Sequence, residues 1–258
     1  QQFNESLNLK QMKDTDLVRY SRHIMLPEID IEGQKKISSS KISIVGLGGL
    51  GCSASSFLAA SGVGTLNLID DDFIDISNLQ RQILFSEKDL DSQKASVAKN
   101  KLIKLNKEID IQAQDLKLNA FNIERALKNS EIILDCTDNF DTRKLINIYC
   151  KNKELILISG SSQGWMGQFF SLDFKDDNSP CLECFFEDLD SEDLTCRESS
   201  IFSPLVGVVG SFMASESIKR IIANEKMNSE LVELNLKENN LKSIKLKKNR
   251  NCKICSKL

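Results

Sequence analysis

Short apolar runs alternate with helical patterns through the middle of the chain. "KISIV" (41–45), "TLNLID" (65–70), "IDIQA" (109–113), "EIILDC" (131–136) and "LILIS" (155–159) are brief and rich in Ile, Leu and Val, as buried strands are. Between them Gly51 to Ser61 reads as a helix of small residues, "KASVAKNKLIKLN" (94–106) as an amphipathic helix and "TRKLINIYCKN" (142–152) as another. Strands that alternate with helices predict parallel βαβ units. The pattern changes after Ser159. "GWMGQFFSLDF", "ELVELNL" and "LKSIKLKK" alternate apolar with polar positions like antiparallel strands, and Pro204 introduces one strongly apolar helix over about 205–223. Upstream, Leu17, Tyr20 and Ile24 share one helical face in a segment stopped by Pro27. The expected fold is α/β: a Rossmann-like, doubly wound, mainly parallel sheet that becomes mixed in its final third. Residues 1–40 form a helical preface and 41–258 a single domain.

Size and charge narrow the functions. A chain of 258 residues suffices for one such domain. Its formal net charge of -3 leaves no electrostatic footprint for nucleic acid. The opening residues "QQFNESLNLKQMK" lack a secretory pattern and an initiator Met, which is compatible with a trimmed start. The longest apolar stretch, Leu205 to Ser215, is too short to span a bilayer and runs into Glu216, Lys219 and Arg220. A cytoplasmic protein with no membrane partner is expected, and there eight cysteines point to metal or thiol chemistry rather than disulfides.

Gly46, Gly48 and Gly51 of "IVGLGGLG" fit G-x-G-x-x-G between a predicted strand and a predicted helix, and Asp70 ends the next strand. Such glycines allow a tight turn, close approach of backbone to phosphate, and close packing of helix on strand. The helix start then offers N–H groups to an anion, and the acid accepts hydrogen bonds from ribose. The loop alone suits a nicotinamide dinucleotide at least as well as ATP. Its surroundings favour ATP: Asn78, Gln80, Arg81 and Gln82 follow in "DDDFIDISNLQRQILF", Lys94 opens the next helix, and Asp138 lies at the end of a parallel strand. Arg and Lys neutralise a polyphosphate, and an Asp so placed could hold Mg²⁺ or could instead cap the helix after it.

Together "RYSRHIML", "GLGGLG", "DDDFIDISNLQRQILF", "DCTDNFDTR", "GSSQGWMGQ", "CLEC", "SPLVGVVGSFMASESIK" and "CKIC" resemble the ThiF/MoeB/HesA family, bacterial relatives of ubiquitin-activating enzymes. The likeness runs from about Asp16 to Cys255. It implies that Mg-ATP adenylates the C-terminal Gly-Gly carboxylate of a ubiquitin-like sulfur carrier protein and that pyrophosphate is released. The matching positions are Gly49 in the phosphate loop, Asp70 at the ribose, Asn78, Arg81 and Lys94 at the polyphosphate, and Asp138 at Mg²⁺. Arg22 matches an arginine delivered into a partner subunit's site, which implies a homodimer. A carboxylate nucleophile needs no general base, so the lone histidine, His23, is expected to be structural. Ser92 stands where the family usually places Gly before the lysine.

Cys181-x-x-Cys184 and Cys252-x-x-Cys255 have the spacing of paired thiolate ligands and predict a closed Zn²⁺ site clasping the C-terminal tail to the loop after the central sheet. Cys196 stands alone beside Arg197; by the resemblance it either joins the carrier during sulfur transfer or is an inert thiol. Cys52, Cys136 and Cys150 are expected to be buried small hydrophobes. The motifs sit closer to the thiamine-thiazole branch, with a ThiS-like carrier, than to the molybdopterin branch with a MoaD-like one. No rhodanese-like extension follows "CKIC", so a separate cysteine desulfurase or sulfurtransferase is the expected sulfur source. The carrier tail is expected near Asp138 and along Trp165 to Phe170. A nicotinamide-dependent oxidoreductase and a non-catalytic scaffold are the rival classes.

Overall fold

The computed structural model describes residues 12–186, 200–223 and 227–255. Its elements in chain order are α1 (Asp14–Arg19), α2 (Ser21–Ile24), α3 (Asp30–Ser39), β1 (Lys41–Val45), α4 (Gly49–Ala60), β2 (Thr65–Ile69), α5 (Lys94–Leu105), β3 (Asp110–Gln114), α6 (Ile123–Ala126), β4 (Ile132–Asp135), α7 (Phe140–Asn152), β5 (Ile156–Gln163), β6 (Met166–Asp173), α8 (Ser203–Ile222), β7 (Glu230–Asn235) and β8 (Asn240–Lys245). The strands make one eight-stranded sheet in the order β3-β2-β1-β4-β5-β6-β7-β8. The first five pair in parallel, and β6 to β8 pair antiparallel. The mixed, Rossmann-like sheet expected from the periodicity is therefore the observed one.

The chain winds outward in both directions from β1, so β1 and β4 flank the point where the connections diverge. Loops leaving the carboxyl ends of these two strands cannot cover each other, and a crevice opens there. Side-chain alternation sends Ile42, Ile44, Leu66, Leu68, Ile132, Leu134, Ile156 and Ile158 to one face of the sheet, with α3, α4, α5 and α8. Val45, Ile69, Ile133 and Leu157 face the other way, with α6 and α7.

Small residues let α8 approach α4 closely. A Cβ on Gly210 would stand 2.4 Å from Leu50 O, one on Gly49 2.4 Å from Val206 Cγ2, and Ser53 Oγ donates to Gly207 O at 2.9 Å. No helix among the described residues is long and apolar enough to cross a membrane.

The N-terminal region departs from expectation. The single helix predicted before Pro27 is broken at Tyr20, and a further helix, α3, follows. Tyr20 is buried against Gly62, and its hydroxyl accepts from Asn106 Nδ2 at 2.8 Å. This tertiary anchor takes precedence over helical continuity.

Candidate active site

The loop after β1 is shaped by contacts that only glycine permits. Gly46 has φ +90°, and a Cβ there would lie 2.8 Å from Cys136 O on the loop after β4. At Gly51 a Cβ would meet Gly46 O at 2.0 Å, so this glycine lets α4 pack onto the turn. Gly48 differs: the nearest protein atom to its Cβ position is Gln82 Nε2, at 3.9 Å. Gly48 is the residue before α4 and supplies no side-chain cap, so the first N–H groups of a 12-residue helix face the crevice.

Asp70 at the end of β2 accepts from Leu47 N at 2.5 Å and from Asp72 N at 2.8 Å. Burial outweighs these amide bonds and holds its carboxyl above the usual carboxylate range. The 3-10 turn over Ile76–Asn78 leads into Asn78 and Arg81 on the cleft wall, and Arg81 Nη1 donates to Ser77 O at 3.0 Å. Lys94, at the start of α5, is buried and pairs with Asp72 at 3.0 Å. The Ser92 turn closes without glycine: Asp91 takes the left-handed conformation, φ 60°, and Ser92 O accepts from Ile74 N at 2.9 Å. Lys94 still reaches the cleft wall.

Across the cleft the loop after β4 rests on a buried ion pair that sequence reasoning did not single out. Asp135, fully buried, accepts from Arg143 Nε at 3.0 Å, from Ser159 Oγ at 2.6 Å and from Thr137 Oγ1 at 2.6 Å. Arg143 Nη2 also donates to Thr137 O at 2.8 Å and Gly160 O at 2.9 Å. One guanidinium thus ties the end of β4 and the loop after it to the middle of β5. Asn139, not Asp138, caps α7, its Oδ1 accepting from Thr142 N at 2.9 Å. Asp138 is exposed on the cleft and is not the capping residue.

These parts line a cleft of about 910 Å³, which brings together Gly46, Gly48, Gly49, Asp70, Asn78, Arg81, Lys94 and Asp138. Gly51 lies behind it, in the packing of α4. Arg22 is exposed on α2 and is not among the lining residues of its own chain. Cys196 lies outside the described residues. The cleft continues past Ser162 to Met166, Gly167, Gln168 and Glu233. Phe169 and Phe170, expected at the carrier face, are instead 5% and 1% exposed and belong to the core.

Cys52 and Cys150 are buried as expected, and burial pushes the Cys52 thiol up to about 12. Cys136 corrects the expectation: it is half-buried and lines the cleft. Burial and the Asp135 carboxylate hold its thiol well above the ordinary range.

The two C-x-x-C turns converge. Sγ separations are 3.9 Å for Cys181–Cys184, 3.5 Å for Cys181–Cys252 and 3.3 Å for Cys184–Cys255, and all four sulfurs lie within 4.8 Å of one another. Tetrahedral sulfurs around an ion at ~2.3 Å would stand ~3.8 Å apart, so the set could hold a metal ion. Asn147 on α7 orients the first turn, its Oδ1 accepting from Leu182 N at 3.0 Å.

Fold and cleft together define an α/β protein of the doubly wound class with its cleft at the β1–β4 switch point, where such folds bind nucleotides. The ThiF family matches residues 20–255, and the chain belongs to that family. It is 38% identical over 244 residues to the sulfur carrier protein ThiS adenylyltransferase of Escherichia coli K12, covering 95% of this chain and 97% of that one. To the molybdopterin-synthase adenylyltransferase of the same strain it is 34% identical over 248 residues, with coverages of 96% and 99%. Among solved structures, Escherichia coli MccB with ATP superposes with a TM-score of 0.80 at 27% identity, covering 98% of this chain and 75% of that one.

Proposed function

We propose that this protein is an adenylyltransferase that uses ATP to activate the C-terminal carboxylate of a ubiquitin-like sulfur carrier protein of the ThiS type. The observation that carries the reading is one cleft lined together by Gly46, Gly48, Gly49, Asp70, Asn78, Arg81, Lys94 and Asp138. The carrier's carboxylate oxygen attacks the α-phosphorus, the bond to the bridging oxygen of pyrophosphate breaks, and the acyl-adenylate remains. An ionised carboxylate needs no proton removed, so the cleft has to position the reactants and neutralise charge. Gly48 and the start of α4 receive phosphate oxygens, Asp70 accepts from the ribose, and Asn78, Arg81 and Lys94 bind the polyphosphate. Asp138 would hold Mg²⁺, a single carboxylate with substrate phosphates being the donor set this ion favours; the ion would offset the phosphate charge. The stretch from Ser162 to Gln168 receives the extended tail.

The cysteine cluster is a structural Zn²⁺ site, since four thiolates with no open position suit that ion. Arg22 serves the second subunit of a homodimer, a reading supported by its exposure among Val18, Met25 and Leu26, which are 77%, 72% and 48% exposed. Arg22→Ala should retain its fold and assembly yet lose exchange activity, and mixing it with Lys94→Ala should restore activity in mixed dimers. Cys196 forms the sulfur-transfer link to the carrier, and a separate desulfurase or sulfurtransferase feeds it. Cys196→Ala should preserve pyrophosphate chemistry and abolish thiocarboxylate formation; wild-type transfer would end that role. The central test is carrier-dependent ATP–pyrophosphate exchange with ThiS-like and MoaD-like proteins side by side. Exchange with the ThiS-like carrier is expected, and exchange with neither would sink the reading.

A further inference from the structure

The end of the cleft on β6 and β7 carries a carboxylate that nucleotide binding leaves unused. Of the acids lining the cleft, Asp71, Asp72 and Asp138 are exposed, while Asp70 and Glu233 are half-buried. Asp70 accepts from two backbone amides. The Glu233 side chain makes no ion pair or hydrogen bond among the described residues. Two of the cleft's cations are committed elsewhere, Lys94 to Asp72 and Arg143 to Asp135. Strand register sets Gln168 of β6 and Lys242 of β8 directly opposite Glu233, so the three side chains form one polar row on one face of the sheet. Lys242 is exposed on the edge strand and leaves the carboxylate unpaired. The adjoining row is apolar, Phe170 with Leu231 and Ile244, and Phe170 packs against Phe185 and Phe186. An ionised carboxylate only accepts, and holding one half-buried without a donor costs free energy. The nucleotide does not supply that donor. Lys94 and Asp72 lie past β2, and β1, β4, β5 and β6 stand between β2 and the β7 strand that bears Glu233. The completing group therefore arrives with the second substrate.

We infer that Glu233 determines which carriers are accepted, by pairing with a lysine or arginine side chain in the carrier's tail upstream of Gly-Gly. This rests on the carrier-adenylating reading of the same cleft. Adjacent strands lie ~4.8 Å apart, so a tail running along Ser162 to Gln168 brings its side chains within reach of Glu233 on β7. A basic side chain both donates the missing bond and offsets the carboxylate's charge, which makes it a selector between carriers. The test uses the full metal-loaded chain as wild type, Glu233→Gln and Glu233→Lys. The probe is the ThiS-like carrier with Lys, Ala or Glu placed in turn at each tail position before Gly-Gly. Pyrophosphate exchange gives the carrier KM at saturating ATP and the ATP KM at saturating carrier. At one tail position the wild type should prefer Lys over Ala by about 10- to 100-fold in carrier KM, the range for one hydrogen bond to a charged group. Glu233→Gln should lose that preference and Glu233→Lys should invert it in favour of Glu, both with unchanged ATP KM. Glu233→Gln keeps the side chain's shape and gives up no bond within the protein, so it should melt as wild type. It carries the test even if a lysine opposite Lys242 weakens the sheet. The same ranking of carriers in wild type and Glu233→Gln, or an ATP KM that rises as much as the carrier KM, overturns the inference alone. A wild type that exchanges pyrophosphate with no carrier overturns the reading beneath it as well.

Discussion

At the scale of single residues, glycines that look alike in sequence separate by what surrounds them. Gly46→Ala forces a left-handed conformation and a clash with the Cys136 carbonyl, and should cost about 1–3 kcal/mol of stability. Gly48→Ala has room within the protein, so it should melt as wild type yet lose ATP affinity; thermal melting with and without ATP separates the two. Asp70 gives a pH signature. Its folded pKa lies above the unfolded one, so the native state holds the proton longer and ionisation subtracts from stability as pH rises through that interval. Asp70→Asn lacks this loss, so its melting temperature relative to wild type should climb from acid to neutral pH. The glycines and Asp70 were legible in the sequence because their spacing follows from one strand-turn-helix-strand unit, β1 to β2. Arg143 was not legible. Its partners, Asp135, Thr137 and Gly160, lie at and just past the end of β4 and within β5, and their meeting depends on the pairing of β4 with β5. Arg143→Met should leave Asp135 buried and unpaired, a loss of about 3–5 kcal/mol by chemical denaturation.

At the scale of elements, α8 is the one apolar helix foreseen, yet its charged end has a structural use that hydropathy does not disclose. Glu216 bonds Arg220 Nε at 2.9 Å and Lys219 at 2.5 Å, while Arg220 reaches Met227 O and Asn228 O at the entry to β7. Burial would raise the Glu216 pKa, but the hydrogen bonds and charges of Lys219 and Arg220 outweigh it and hold the carboxyl low. A depressed folded pKa contributes stability above the unfolded pKa, and that contribution is lost as pH falls through the folded pKa. Glu216→Gln should therefore be less stable than wild type at neutral pH, and the gap should narrow on acidification. Denaturant midpoints at several pH values would show it.

At the scale of the whole molecule, the cysteine cluster brings together positions 71 residues apart, and the Zn²⁺ proposed for it would hold the C-terminal tail to the body. Cross-linking a loop of that size is worth ~4 kcal/mol in chain-entropy accounting. Chelation should lower the melting temperature, and Cys252→Ser should show the same loss without a chelator. Unchanged melting after complete metal removal would contradict the clasp.

Periodicity determined the alternation of strands and helices, hence a parallel sheet that turns antiparallel, because each element's buried face is written in its own local pattern. Spacing likewise determined the glycine turn between β1 and α4 and the two thiol pairs, which are local features. Tertiary structure alone decided the break at Tyr20, the cleft wall at Cys136, the burial of Phe169 and Phe170, and the Asp135–Arg143 pair. Each arises where segments distant in sequence meet at a strand end or in the core. Which groups meet there is set by strand order and register, quantities that no local window of residues contains.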